Sequence, residues 1–203
     1  MAGFQEIDLY GARLVREMLD RKAQESQRDA LRRIVSVAPL QRYATPSGKP
    51  MSVMMTAAGR FGWVSDRTGY HYAPAHPTGV PWPPIPEPLC DIWAELLPEA
   101  RAPECCLVNY YDPNAKMGLH RDDTEADLSQ PVLSISLGDE GLFRIGGLQR
   151  GGKTRSVWLR SGDGLILQGR SRLAYHGVDR IRPGTSTLLD RPGRINLTLR
   201  VVT

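Results

Sequence analysis

Residues 194–200 read RINLTLR, a polar–apolar alternation without a break. Successive side chains of an extended chain point to opposite faces. Arg194, Asn196, Thr198 and Arg200 therefore share one face, and Ile195, Leu197 and Leu199 the other. The apolar face can pack on a core, so the polar face must look into a solvent-filled or ligand-filled mouth. Two arginines there need anions, and the guanidinium fork suits a carboxylate through two parallel hydrogen bonds. Arg194 and Arg200 stand ~20 Å apart along an ideal strand. To serve one small diacid their arms must lean inward or the strand must bend; carboxylates of the protein itself are the alternative partners. Asn109 and Tyr111 also share a face and could donate to the same ligand.

Similar short runs precede this one from Glu104 onward: CCLVNYY, VLSISLG, GLFRIGG, RSVWLR, GLILQG and RLAYHGV, each bounded by Gly, Asp or Pro. Short strands at near-regular spacing predict an antiparallel sandwich or jelly-roll barrel. The first forty residues read as helices. Leu14, Val15, Met18 and Leu19 sit at helical spacing, and Leu31, Ile34, Val35 and Ala38 form a second stripe that Pro39 ends. Residues 43–88 are crowded with prolines and carry Phe61, Trp63, Tyr70, Tyr72 and Trp82, which suggests an aromatic-rich flap of short strands outside the core. A third helix follows on the stripe Leu89, Ile92, Trp93, Leu96 and Leu97, stopped by Pro98. With no repeat and no linker, residues 1–203 read as one α+β, mainly β, domain: helices over 1–42, a flap over 43–88 and a barrel over 104–203.

The chain has 203 residues, 41% hydrophobic and 24% charged, which excludes a disordered tail or a disulfide-stapled scaffold. No apolar run approaches the roughly 18–20 residues of a membrane span, and the N-terminus shows no export signal. The three cysteines, two of them adjacent (Cys105 and Cys106), make no disulfide framework, so a reducing, cytoplasmic setting is expected. A monomer with no membrane partner is expected too. Charge is uneven: from Arg144 to Thr203 twelve Lys or Arg face three acids, whereas the first 143 residues hold fourteen bases and nineteen acids. That asymmetry suggests an anionic partner such as nucleic acid, or else a solvated basic surface.

GLQRGGKT at Gly147–Thr154 matches the phosphate-loop pattern. The pattern needs a helix starting at Lys153, and the following TRSVWLRSGDG suits a strand and a glycine turn. A hairpin is the better reading, because without the helix no positive N-terminus holds the phosphate. The stronger signal is His120-Arg121-Asp122. In extended chain the His and Asp point the same way and can reach one ion. With His176 from RLAYHGV they make the two-histidine, one-carboxylate set of non-haem iron(II) oxygenases, whose open positions admit substrate and O₂. Hydrolytic zinc sites use similar ligands, but H-E-x-x-H and C-x-x-C spacings are absent.

NYYDPNAKMGLHRDD, SRLAYHGV and RINLTLR together resemble the AlkB family of Fe(II)/2-oxoglutarate dioxygenases, whose pattern is N-x-Y-x-P-G-A-x-x-x-x-H-x-D, a second His and R-x-N-x-T-x-R. The segments MSVMMTAAGRFGW, GYHYAP and PWPPIP resemble that family's nucleotide-recognition lid, so the likeness covers roughly residues 25–202. The resemblance implies a double-stranded β-helix (jelly roll) with N-terminal helices and a β-rich substrate lid. It implies that His120, Asp122 and His176 are the catalytic Fe(II) ligands. Arg194 would take the distal carboxylate of 2-oxoglutarate, helped by Tyr111 and Asn196, with Arg200 and Asn109 near the keto-acid end. Trp63, Tyr70 and Tyr72 would line the base pocket and lid, and Arg150 would lie near the substrate. The implied activity is oxidative demethylation of N-alkylated bases in DNA, of the 1-methyladenine and 3-methylcytosine type, with O₂ and 2-oxoglutarate consumed and formaldehyde, succinate and CO₂ released. Two positions depart from the pattern. Asn114 stands where the family has glycine, and Asn tolerates left-handed backbone. Thr124 stands where DNA-repair members place an acid against the flipped base, which leaves RNA or a protein side chain as the alternative substrate. A non-catalytic nucleic-acid-binding module and a nucleotide hydrolase are the readings outside this chemistry.

Overall fold

The computed structural model describes residues 6–203. In chain order the elements are β1 (Glu6–Leu9), β2 (Ala12–Val15), α1 (Arg21–Val37), β3 (Met54–Gly59), β4 (Gly62–Asp66), β5 (Gly69–Ala73) and α2 (Glu87–Leu96). There follow β6 (Cys105–Tyr111), β7 (Met117–His120), β8 (Val132–Gly138), β9 (Glu140–Ile145), β10 (Arg155–Leu159), β11 (Gly164–Leu167), β12 (His176–Arg182) and β13 (Arg194–Arg200). A large sheet runs β1-β2-β11-β8-β13-β6-β3 and a small one β10-β9-β12-β7, while β4 and β5 pair alone. All these pairings are antiparallel. Two facing antiparallel sheets make the jelly-roll core.

The large sheet is buried on both faces. One face meets the helices: Leu197, Leu199, Leu133 and Ile135 pack with Leu31, Ile34, Leu89 and Trp93. The other meets the small sheet, where Leu107, Tyr111 and Leu165 join Phe143, Ile145 and Val178. The alternation in β13 is what lets one strand serve a helix layer and a barrel interior together. Asp20 caps α1 by accepting from the Ala23 backbone N–H at 2.7 Å.

Two expectations need correction. No helix forms over Leu14–Leu19: Leu14 and Val15 end the hairpin β1–β2, turned at Tyr10 and Gly11, both with positive φ, and residues 16–19 are turn and irregular chain. β2 then pairs with β11, so Leu14 faces the barrel and Val15 the helices, both fully buried. A strand buried on both faces shows adjacent apolar residues, which spacing alone cannot tell from a helix. Residues 1–5 of that expected helical segment lie outside the described residues. Secondly, the flap is not all outside the core. β3 is the edge strand of the large sheet, paired with β6, with Met55, Ala57 and Ala58 buried, and Trp82 is 6% exposed. The hairpin β4–β5 pairs with neither the large nor the small sheet, although Val64 of β4 is buried in the barrel cluster.

The phosphate-loop match lies between β9 and β10, and a strand follows it from Arg155. All three cysteines are free thiols. Among the described residues no helix is long and apolar enough to cross a membrane.

Candidate active site

His120 closes β7 and His176 opens β12, and the two sit directly opposite in the antiparallel register. Fifty-five residues of sequence thus shrink to ring centroids 4.5 Å apart. The close approach depends on Gly177, where a Cβ would come within 2.5 Å of the Met117 carbonyl. Asp122 follows in irregular chain, with a carboxylate oxygen 3.9 Å from each imidazole Nε2. One donor atom from each residue lies within 4.8 Å of the others. Both Nδ1 atoms face carbonyls, Gly118 at 3.0 Å and Ala174 at 2.9 Å. A carbonyl only accepts, so each Nδ1 carries the proton and each Nε2 lone pair is left for a metal. Burial, reinforced by His120, pushes the His176 pKa down to about 4, so its ring is neutral at physiological pH. Burial opposes ionisation of Asp122, but Arg200 and the two histidines outweigh it and hold its pKa well below the usual carboxylate range. A neutral His176 and an ionised Asp122 are in the protonation states that metal binding requires.

Deeper in the barrel lies Arg194, 1% exposed, its stem resting over Gly141, where a Cβ would stand 2.8 Å from it. NH2 donates to the Ser136 hydroxyl at 2.7 Å, while Nε and NH1 have no partner. Burial lowers its pKa to about 10, which still leaves it charged. Tyr111 faces it across the β6–β13 register, fully enclosed. Asn109, 3% exposed, has an unpartnered Oδ1. Asn196 donates to the Ser134 hydroxyl at 2.7 Å and the Ile135 carbonyl at 3.2 Å and accepts from Thr198. Arg200 donates to Glu125 at 2.7 Å, to Asp122 at 3.1 Å and to the Tyr72 hydroxyl at 3.1 Å.

On the lid hairpin Trp63 stacks on Tyr70, centroids 5.2 Å apart and planes 24° from parallel, with the edge of Tyr43 at 6.0 Å. Tyr70 is 43% exposed. Tyr72 turns inward and donates to Glu125 at 2.6 Å, whereas His71 faces solvent near Asp66. Arg150, at the β9–β10 tip, approaches the Leu119 carbonyl beside His120 at 3.5 Å. Thr124 is exposed.

Residues 11–200 match the 2OG-Fe(II) oxygenase superfamily. An alpha-ketoglutarate-dependent dioxygenase AlkB homolog of Caulobacter vibrioides is 53% identical over 184 residues, 90% of this chain and 84% of that protein. The alpha-ketoglutarate-dependent dioxygenase AlkB of Escherichia coli is 37% identical over 203 residues, 97% of this chain and 93% of its own. Among solved structures, that of OsALKBH1 superposes with a TM-score of 0.83 at 30% identity, covering 98% of this chain and 99% of the other. The chain belongs to the AlkB family.

As an AlkB-family dioxygenase it requires Fe(II), 2-oxoglutarate and O₂. The residues present fit that requirement. The His120, Asp122 and His176 donors can hold an ion on one side and leave the rest of its coordination sphere free. The unpartnered Nε and NH1 of Arg194 are a charged, dry fork with no protein carboxylate on it. Such a group is costly to bury alone and is satisfied by a ligand carboxylate. Sequence reasoning missed Glu125 and Arg172, both buried in the network around Asp122. Glu125 stood in plain view within DDTEAD, but acids in a run usually face solvent, and only its inward turn distinguishes it.

Proposed function

We propose that the chain demethylates N-alkylated bases in DNA, of the 1-methyladenine and 3-methylcytosine type, and so repairs alkylation damage directly. In this reading His120, Asp122 and His176 hold Fe(II), Arg194 with Tyr111 and Asn196 orients 2-oxoglutarate by its distal carboxylate, and Asn109 and Arg200 line the keto-acid end. Bound there, iron with 2-oxoglutarate and O₂ supplies the oxidising power that hydroxylates the N-methyl carbon, with succinate and CO₂ as co-products. The buried fork of Arg194 fixes the co-substrate in one orientation, and the closed barrel around it excludes water. The hydroxymethyl group on the base then loses its hydroxyl proton, the carbon–nitrogen bond breaks, and formaldehyde leaves while the base keeps the electron pair.

The observation that carries the substrate class is the lid. Its stack of half-buried Trp63 on exposed Tyr70 sits on a hairpin that Tyr72 joins to Glu125 and to Arg200, and Arg200 donates to Asp122. A base must leave the helix to reach such a site, and aromatic faces stabilise an extruded base by about 1–3 kcal/mol. Arg150 at the rim, and the basic side chains of the last sixty residues that remain outside the barrel, suit phosphates. Arg172, Arg194 and Arg200 are buried and belong to the interior instead. The exposed, neutral Thr124 favours a second reading, the same chemistry on RNA or on a protein side chain. Relatives carry the names DNA N(6)-methyladenine demethylase, in Arabidopsis thaliana, and tRNA demethylase, in Schizosaccharomyces pombe. A monomer acting in the cytoplasm completes the proposal.

Formaldehyde release from matched methylated DNA, RNA and peptide panels tests it. Highest turnover on 1-methyladenine or 3-methylcytosine in DNA is expected. Release from RNA or peptide alone would transfer the assignment to the second reading.

A further inference from the structure

Glu125 is 5% exposed and accepts from three separate parts of the chain. The Tyr72 hydroxyl reaches it from the lid hairpin at 2.6 Å, Arg200 from β13 at 2.7 Å, and Arg172 from the turn before β12 at 3.1 Å. Arg172 also donates to the backbone carbonyls of Asp122 at 2.6 Å and Gln130 at 2.7 Å. Two guanidinium groups and two carboxylates, buried Glu125 and half-buried Asp122, therefore neutralise one another where a lone charge is costly.

This group holds Asp122 at both ends, its carbonyl by Arg172 and its carboxylate by Arg200. Arg200 gives Asp122 only one arm, NH2 to Oδ2, because NH1 is engaged by Glu125 and Tyr72. A guanidinium with both arms free closes on a carboxylate in bidentate fashion. Closed on Asp122, it would cover both oxygens and compete with a metal ion for them. Glu125 keeps the second arm away.

We propose that Glu125 is a positioning residue that acts on the iron site through Arg200, and that Tyr72 wires the lid hairpin to the same carboxylate. The proposal rests on the metal-ligand assignment above and is indifferent to whether the substrate is DNA, RNA or protein. Removing the charge at Glu125 frees Arg200 to clamp Asp122 and weakens the metal. Removing the Tyr72 hydroxyl loosens the same arm by one hydrogen bond.

The test is a titration of the full chain with Mn(II), followed by electron paramagnetic resonance, which needs neither O₂ nor substrate. Glu125→Gln is expected to lower Mn(II) affinity about 10–100-fold, the usual scale for groups that orient metal ligands. Glu125→Asp should recover part of that loss, and Tyr72→Phe should weaken binding about threefold. Unchanged affinity in Glu125→Gln with a native circular dichroism spectrum would overturn the proposal. If Glu125→Gln does not fold, Tyr72→Phe decides, and wild-type affinity there is the overturning result. His120→Ala in the same titration separates the two levels: wild-type affinity in that variant removes the ligand assignment itself, whereas lost affinity there with an unchanged Glu125→Gln removes only the role of Glu125.

Discussion

The two ends of β13 carry the same side chain in opposite electrostatic states. Arg200 is enclosed by Asp122, Glu125 and the Tyr72 hydroxyl, and despite its burial the neighbouring carboxylates, Asp122 first, hold its pKa well above the ordinary guanidinium value. Arg194, six residues away on the same face, is as deeply buried but has one hydroxyl for company and two guanidinium nitrogens, Nε and NH1, unpartnered. Burial pulls its pKa down instead of up. The protein answers the charge of Arg200 with two carboxylates and leaves only its Nε unpartnered, whereas no carboxylate answers Arg194. The difference teaches that a buried charge is read by its partners and not by its type.

The largest expected effect comes from taking an anion away from the Arg200 end. Asp122→Ala should abolish 2-oxoglutarate turnover, measured as succinate formation; retained turnover would show that the carboxylate is no iron ligand. Next, replacing each arginine by methionine should move stability in opposite directions. Arg200→Met strips Asp122 of its guanidinium partner and leaves Glu125 with Arg172 alone, and should destabilise the fold by about 3–5 kcal/mol in urea unfolding. Arg194→Met removes an uncompensated buried cation and should stabilise the ligand-free fold by about 1 kcal/mol. Equal losses at both positions would break the comparison. The Arg194→Met chain should also bind 2-oxoglutarate about 10–100-fold more weakly, the scale of charge-assisted hydrogen bonds, so the thermal shift that 2-oxoglutarate produces in the unaltered chain should shrink. The smallest effect is expected outside the barrel: Thr124→Asp should raise kcat/KM for cationic methylated bases several-fold, the scale of one partly screened ion pair, and leave 2-oxoglutarate binding unchanged. An unchanged preference would place Thr124 away from the base.

Much of this was legible in one dimension. The alternation in RINLTLR predicted the two-faced strand, and the seven runs after Glu104 correspond to β6 and β8–β13. His120 and Asp122 stood out because their spacing is local. The helix expected at Leu14–Leu19 failed because a strand covered on both faces loses its period-two signature. β3 was hidden for a related reason: MMTAAG has no polar alternation, and its place at the edge of the large sheet is set by pairing with β6, some fifty residues on. Glu125 and Arg172 were invisible as site residues, since a charged side chain looks the same in sequence whether it turns to water or to a buried counter-ion.

What the sequence determined alone is the chemistry on offer: two imidazoles, a carboxylate, a strand with two arginines on one face, and a cluster of aromatics ahead of them. Local spacing and side-chain type suffice for that, because strand periodicity and ligand chemistry act over a few residues. What the tertiary structure decided is which charges meet. The register that sets His176 against His120, and the enclosure that gives Arg200 two carboxylates while leaving Arg194 with none, are long-range pairings. Their energies depend on distance and burial, and neither is written in the order of the residues.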